Sequence, residues 1–327
     1  MVVPPRIAVL PRFPLLDGPS PLQRLERFSA GLGEAADVWI KREDLLPLAF
    51  GGNKLRNLEF LVGAALADGA DTLVTSGRRW SNHCRLTAAA GAKAGLEVHL
   101  VLTGPPSPPG EEGANQRLDE LLGAHVHVTA TADRSERAAT VDRVAAGLRA
   151  AGRRPYVIGI GGTGPVGAAG QLLAGLEAAD ELAAAGVGEA TVILASATGG
   201  TQAGVQAGLE IAGRAGPVEG FAVAAPAAEL RPAILDLLDG LSGLAGVGFR
   251  GEIALSDDQL GDGYGRRTAA ADEATRLLAR TEGILVDPIY TAKALAGLVA
   301  GVRSGSFRGP LVFWHAGGTP GLFEQVG

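Results

Sequence analysis

The sequence holds a single cysteine, Cys84. A lone thiol closes no intrachain disulfide, so nothing points to an oxidising compartment. Basic residues are in the minority: 29 Lys and Arg against 35 Asp and Glu give a formal charge of −6. A chain of that sign does not attract polyphosphate backbones, and nucleic acid is not an expected partner. No apolar run approaches the ~18 residues that a membrane span requires. The opening MVVPPRIAVLPRFPLL is broken by prolines, with no long apolar core leading to a cleavage site. The expectation is a soluble cytoplasmic protein with no membrane partner. Aromatic residues are scarce at 5%. The core must then be closed by close helix–sheet packing rather than by bulky rings.

What is present fits a globular enzyme-sized chain. Its 327 residues, 46% hydrophobic and 20% charged, allow one large or two ordinary domains. Short β-branched runs occur at Thr72–Thr75, Val98–Leu102, His125–Thr129, Tyr156–Ile160, Thr191–Ala195, Phe221–Ala224 and Leu311–Trp314. Alanine-rich segments with helical spacing lie between them, such as Leu55, Leu58, Leu61, Val62 and Leu66, or Leu172, Leu173, Leu176 and Leu182. This alternation predicts an α/β fold of parallel sheets covered on both faces. Gly51–Gly52 and the glycine-rich 159–170 stretch are the hinge candidates. Pro105–Gly110 reads as a surface loop, and no internal repeat is visible.

Three segments could carry chemistry. Gly51-Gly52-Asn53-Lys54 stands directly before an amphipathic helix. Two glycines permit a tight turn and close approach to a ligand. A lysine at a helix start faces the positive end of the dipole, which lowers its pKa and suits a nucleophilic amine. A solvated lysine at a helix start gives the same pattern. Ser76 to His83 follows a strand, and Ser81 is a candidate N-cap of the next helix. Its free N–H groups suit a substrate carboxylate, with Asn82 and His83 beside them, although ordinary capping needs no ligand. Ser196-Ala197-Thr198-Gly199-Gly200-Thr201 also lies between strand and helix and reads as an anion cradle for phosphate. It lacks the lysine and spacing of a triphosphate loop.

Other candidates are weaker. Gly159 to Gly164 matches the dinucleotide pattern G-x-G-x-x-G, but no acidic residue follows the next strand, so NAD stays a remote alternative. Cys84 beside His83 reads as a small buried thiol. His125 and His127 share one strand face without a third ligand at useful spacing, and read as surface histidines rather than a metal site. Tyr264 and Tyr290 sit in turn-rich segments as acid/base candidates or as packed rings.

Taken together, Ile40 to Asp44, Phe50 to Arg56, Ser81 to His83, Gly199 to Gly204, Thr281 to Pro288 and His315 to Phe323 resemble the D-cysteine desulfhydrase and 1-aminocyclopropane-1-carboxylate deaminase family. The match runs along nearly the whole chain in the same order. It implies a tryptophan-synthase-β-like (fold type II) architecture that binds pyridoxal 5'-phosphate between two α/β domains, usually in a homodimer. The large domain would be residues 1–53 and 162–327, the small one 54–161. Lys54 resembles the lysine that carries the cofactor and shuttles the α-proton. Asn82 is similar to the asparagine that bonds the cofactor's phenolic oxygen, and residues 196–201 to the phosphate loop. Trp80, Ser81, Asn82 and His83 would meet a small amino-acid substrate. Tyr264 and Tyr290 resemble the family's active-site tyrosines.

Deaminases of the family carry Glu where this chain has Thr291, next to the pyridine nitrogen. A hydroxyl there favours α,β-elimination from D-cysteine or a related amino acid, to pyruvate and ammonia, over ring opening. The chain departs from the family pattern at Arg78, Arg79 and Trp80, at Ala197 and Thr198, and at Ala316. Trp80 would crowd the carboxylate site. Two arginines could attract a second acid group, as in cysteate, or face solvent. A cysteate sulfo-lyase and a β-substitution enzyme of specialised metabolism therefore stay open.

Overall fold

The computed structural model describes residues 2–33, 36–104, 107–108, 110–130, 133–214, 216–250 and 252–324. The expected 105–110 loop therefore falls partly outside the described residues. In chain order the elements are α1 (Pro5–Ala8), β1 (Leu22–Arg24), α2 (Glu26–Leu32), β2 (Ala36–Arg42), α3 (Lys54–Ala67), β3 (Thr72–Arg78), α4 (Asn82–Ala94), β4 (Glu97–Thr103), α5 (Ala114–Leu121), β5 (His125–Thr129) and α6 (Arg134–Ala150). They continue as β6 (Pro155–Val157), α7 (Pro165–Ala184), β7 (Thr191–Ser196), α8 (Gly200–Ile211), β8 (Val218–Ala222), α9 (Ala227–Ala245), β9 (Ala254–Ser256), α10 (Ala269–Glu282), α11 (Thr291–Ser304) and β10 (Gly309–His315).

Two sheets result. One runs β1-β2-β10-β7-β8-β9, the other β5-β4-β3-β6. All pairings are parallel except β1 with β2. The antiparallel edge strand makes the larger sheet mixed at one edge, within the α/β fold of parallel sheets that the sequence pattern predicts. Three strands, β1, β2 and β9, lie outside the runs that the sequence pattern predicts. β8 begins at Val218 rather than Phe221, and β6 ends at Val157 rather than Ile160.

Strand alternation explains the layers. In β10, Leu311 and Phe313 pack with α2, α10 and α11, while Val312 and Trp314 face α7 and α8 on the other side. A strand buried on both faces reads as a continuous apolar run, as LVFW does. In the smaller sheet, Leu73, Val98 and Leu100 pack on α3 and α4, whereas Val74 and Val101 face Val141 of α6. Helices α7 and α8 meet backbone to backbone, because a Cβ on Gly208 would stand 2.2 Å from the Leu172 carbonyl oxygen. Small residues thus do the work of the missing aromatics. The C-terminal ends of β3, β7 and β10 deliver residues 78–83, 196–201 and 315–318, and α3 starts beside them.

Candidate active site

The approach to Lys54 is strained. Leu48, Ala49, Phe50, Gly51 and Gly52 all have positive φ, at 68°, 44°, 67°, 63° and 129°. Each non-glycine residue in that region costs about 1–2 kcal/mol. Gly51 is obligatory, since a Cβ there would lie 2.3 Å from the Asp44 carbonyl oxygen. The turn is held by Gly51 N to Leu48 O (2.9 Å), Gly52 N to Glu43 O (3.0 Å) and Asn53 N to Ala316 O (3.0 Å). It delivers Lys54 as the first residue of α3, where burial pushes the amine down to about 8. Asn53 donates to Thr201 Oγ1 (2.8 Å), which ties the lysine's neighbour to the start of α8.

That helix start is led by Gly199 in the left-handed region. Its first N–H groups have no partner within the helix. Ser196 is 1% exposed, and its hydroxyl meets no partner among the described residues. The Thr198 and Thr163 hydroxyls pair at 2.6 Å. Thr163 brings with it the 159–164 glycine stretch, which packs against this loop: a Cβ on Gly161 would meet Thr198 Oγ1 at 3.0 Å.

Ser81 caps α4 as expected, its Oγ accepting from Cys84 N (3.2 Å). His83, the second residue of α4, is buried. Thr75 Oγ1 donates to the Ile158 carbonyl (2.9 Å), so it accepts from His83 Nε2 (2.9 Å). The proton is therefore on Nε2, and Nδ1 carries a lone pair without a partner, facing Gly162. Burial, with the Lys54 charge adding to it, holds His83 down at about 3. It is neutral across the physiological range.

The Asn82 amide is oriented by Arg85, which sequence reasoning missed. Arg85 is fully buried. It donates through Nη1 to Asn82 Oδ1 (2.8 Å) and Asn115 Oδ1 (2.7 Å), and through Nη2 to the Gly51 carbonyl (3.0 Å). With Oδ1 so engaged, Asn82 Nδ2 is turned toward Gly318 and is left to donate. Burial lowers Arg85 to about 10, against the charges of Asp119, Asp287 and Glu324.

Asp287, also missed, is 1% exposed, and burial raises its pKa despite four hydrogen bonds. Its carboxylate takes the Ile289 (2.9 Å), Tyr290 (2.7 Å) and Thr291 (3.1 Å) amides and the Thr291 hydroxyl (2.5 Å). The Thr291 proton is thus spent on Asp287. The Tyr290 and Tyr264 hydroxyls bond each other, and burial raises both pKa values. Trp80 packs on Tyr264 with ring centroids 5.9 Å apart. The two arginines diverge. Arg78 lies over the Trp80 ring at 5.9 Å, whereas Arg79 bonds the Ser107 hydroxyl.

The histidine pair fares differently. His99 and Glu97 join His125 and His127, because parallel pairing sets His99 opposite His125. The reading that no third ligand lay nearby missed this. His99 Nε2 meets Glu97 (2.7 Å) and Nδ1 meets His127 (2.9 Å). The His99 and His125 rings stack 4.6 Å apart at 23°.

Lys54, the glycine-led helix start and the Asn82 amide thus converge at one end of both sheets. Residues 14–317 match the family described as pyridoxal-phosphate dependent enzymes. This chain belongs to that family. It is 40% identical over 318 residues to the D-cysteine desulfhydrases of Salmonella choleraesuis (strain SC-B67) and Salmonella paratyphi C (strain RKS4594), covering 96% of this chain and 95% of each relative. The solved structure of an ACC deaminase homologue is 35% identical, with a TM-score of 0.89 over 98% of this chain and 96% of that one. The solved T.th. threonine deaminase, at 19% identity and TM-score 0.68 over 91% and 92% of the two chains, shares the fold. The protein is therefore a pyridoxal-phosphate enzyme of fold type II, and the dinucleotide alternative falls away.

Proposed function

We propose that this enzyme is a lyase that removes the β-substituent of a small amino acid, D-cysteine being the reference substrate, to give pyruvate and ammonia. The observation that carries the reading is the buried Lys54 amine, half-neutral at about pH 8, beside an anion cradle and an oriented amide donor. The residues present fit the cofactor. The α8 N-terminus with Ser196, Ala197, Thr198, Gly199, Gly200 and Thr201 would hold its phosphate, and Asn82 Nδ2 its phenolic oxygen. When bound, the cofactor supplies the electron sink. Lys54 would carry it and, once freed, take the Cα proton as general base. The N–H groups behind Ser81, with Asn82 and His83, would receive the substrate carboxylate. The Tyr264–Tyr290 pair would hand a proton to the departing group, since one shared hydrogen bond keeps one phenol as donor.

Thr291 favours elimination over ring opening. Its hydroxyl proton goes to Asp287, so it offers the pyridine nitrogen no proton. A less electron-withdrawing ring suits a good leaving group. We further propose a large domain of residues 1–53 and 162–327, a small domain of 54–161, a homodimer and a cytoplasmic location. The division is supported by the sheets, since β3–β6 all lie within 54–161; the last two readings rest on the resemblance. No helix among the described residues is long and apolar enough to cross a membrane.

The test is a visible spectrum of the purified protein before and after adding D-cysteine, with Lys54→Ala alongside. The expected result is a cofactor band in the wild type, altered in the variant, that D-cysteine discharges with release of sulfide and pyruvate. A band untouched by D-cysteine and by other β-substituted amino acids would overturn the lyase reading.

A further inference from the structure

The chain carries five histidines, and three of them gather on the smaller sheet. Glu97 and His99 are the first and third residues of β4, so both side chains leave the sheet on the same face. Parallel pairing sets His125, the first residue of β5, opposite His99, and His127 follows it on that face. Glu97 Oε1 lies 2.7 Å from His99 Nε2 and 3.5 Å from His125 Nε2. The flanks of this triad are themselves held. His99 Nδ1 pairs with His127 Nε2 (2.9 Å), and the two rings stack 5.2 Å apart at 17°. Glu97 Oε2 takes Arg153 Nη2 (2.6 Å), which leaves Oε1 to face the imidazoles. His99 is 8% exposed, whereas the His125 side chain is 59% exposed. The cluster is thus rooted in the sheet and open on one side. It stands far from Lys54 chemistry. Glu97 pairs with Thr72 at the start of β3, and that seven-residue strand runs about 20 Å before it delivers Ser81 and Asn82.

Zinc holds nitrogen and oxygen ligands at about 2.0–2.2 Å, which spaces tetrahedral ligands about 3.3–3.5 Å apart. The two separations from Glu97 Oε1 bracket that spacing closely enough for an ion to be taken up with small side-chain turns. Two imidazoles and one carboxylate suit zinc and its neighbours in the transition series, whereas calcium and magnesium take oxygen sets. A metal-bound imidazole gives its other N–H to a partner, and His127 Nε2 fills that place on His99. We propose that Glu97 Oε1, His99 Nε2 and His125 Nε2 form a site for a divalent transition-metal ion, with His127 and Arg153 orienting the ligands and the open side leaving a position for water. The ion takes the place of the proton between His99 Nε2 and Glu97, and His99 then donates through Nδ1. Its role is a clamp. It joins β4 to the edge strand β5 and so closes the segment between them, which includes α5. Asn115 of α5 accepts from Arg85 (2.7 Å) and donates to Asn82 Oδ1 (3.3 Å), so the clamp steadies the support of the Asn82 amide. No step of the proposed reaction uses the ion, and the inference stands apart from the lyase reading.

The test uses the untagged, cofactor-loaded protein after dialysis against a chelator. Zinc is titrated against a chromophoric chelator, and Co²⁺ is added by itself to read the visible bands of a four-coordinate ion. One zinc per chain is expected, with a Kd at or below about 1 μM. An excess of magnesium should not displace it, and the melting temperature should rise with zinc concentration. His125→Asn and Glu97→Gln should each weaken binding about a hundredfold, and His127→Phe about tenfold, with the cofactor band intact. His125 is exposed, so its variant tests the site without disturbing the core. Half-saturation only at about millimolar zinc would overturn the site. So would tight binding that His125→Asn and Glu97→Gln leave unchanged, since the ion would then lie elsewhere.

Discussion

At the scale of single residues, Lys54 sets chemistry against stability. Its amine is held at about 8 in the folded protein against an ordinary 10.5. Between those values the unfolded chain binds the extra proton, so the stability of the cofactor-free protein rises with pH across that window, and the penalty is complete below it. Replacing Lys54 by Met removes a buried amine from a water-poor site. The variant should be more stable than wild-type apoprotein by about 1–3 kcal/mol at pH 7, measured by denaturant unfolding, while losing activity. The capture of pyridoxal phosphate by wild-type apoprotein should accelerate with pH and level off above about 8. A profile that climbs on toward 10.5 would contradict the buried amine. The motif residues were legible because glycine turns and a helix-leading lysine are local signals. Arg85 and Asp287 were not, since their role comes from contacts that no spacing reveals: Arg85 reaches back across 34 positions to Gly51.

At the scale of elements, the Tyr264 segment depends on one buried cation. Lys293, on α11, donates to the carbonyls of Leu260 (2.7 Å) and Gly263 (3.1 Å). The helix that begins beside Tyr290 thereby fixes the loop that carries Tyr264. Lys293→Met would leave both carbonyls without that donor, at about 1–3 kcal/mol each if they remain dry. The loop is expected to loosen before the fold does. We expect kcat to fall about tenfold with the cofactor band retained, and Lys293→Arg to recover part of it. A fall in cofactor affinity with kcat unchanged would contradict this. The element pattern also shows where sequence reading stops. β10 was visible because its run is apolar on both faces. β2, with sequence ADVWIKR, does not read as a strand, although it lies inside the sheet between β1 and β10. Its Lys41 is fully buried, and the Ser20 carbonyl with the carboxylates of Glu177 and Glu181, some 140 residues away in sequence, make that tolerable.

Those same carboxylates belong to a network that spans the molecule. Arg56, in the first turn of α3, donates Nε to Glu43 Oε2 (2.7 Å), Nη2 to Glu43 Oε1 (2.8 Å) and Nη1 to Glu177 Oε2 (2.9 Å). Ser20 shares the Arg56 and Glu43 atoms at 3.1 and 2.5 Å. Glu43 follows β2 of the larger sheet, α3 packs on the smaller one, and Glu177 lies on α7. Burial alone would lower the Arg56 pKa, but Glu43 and Glu177 raise it, so the guanidinium stays charged. Such a network adds little net stability over an apolar core, yet losing one partner strands the others. Arg56→Met leaves the buried Glu43 carboxylate without its cation and Glu177 with Lys41 alone, and should cost about 3–5 kcal/mol in a thermal or denaturant melt. Because Arg56 stands two residues after Lys54, the variant should also loosen cofactor binding. A double variant, Glu43→Gln with Arg56→Met, should recover part of the lost stability, since it removes the stranded charge while Glu177 stays paired with Lys41. If the double variant is less stable than Arg56→Met alone, the network is a source of stability in its own right rather than a device that fixes where α3, and with it Lys54, begins.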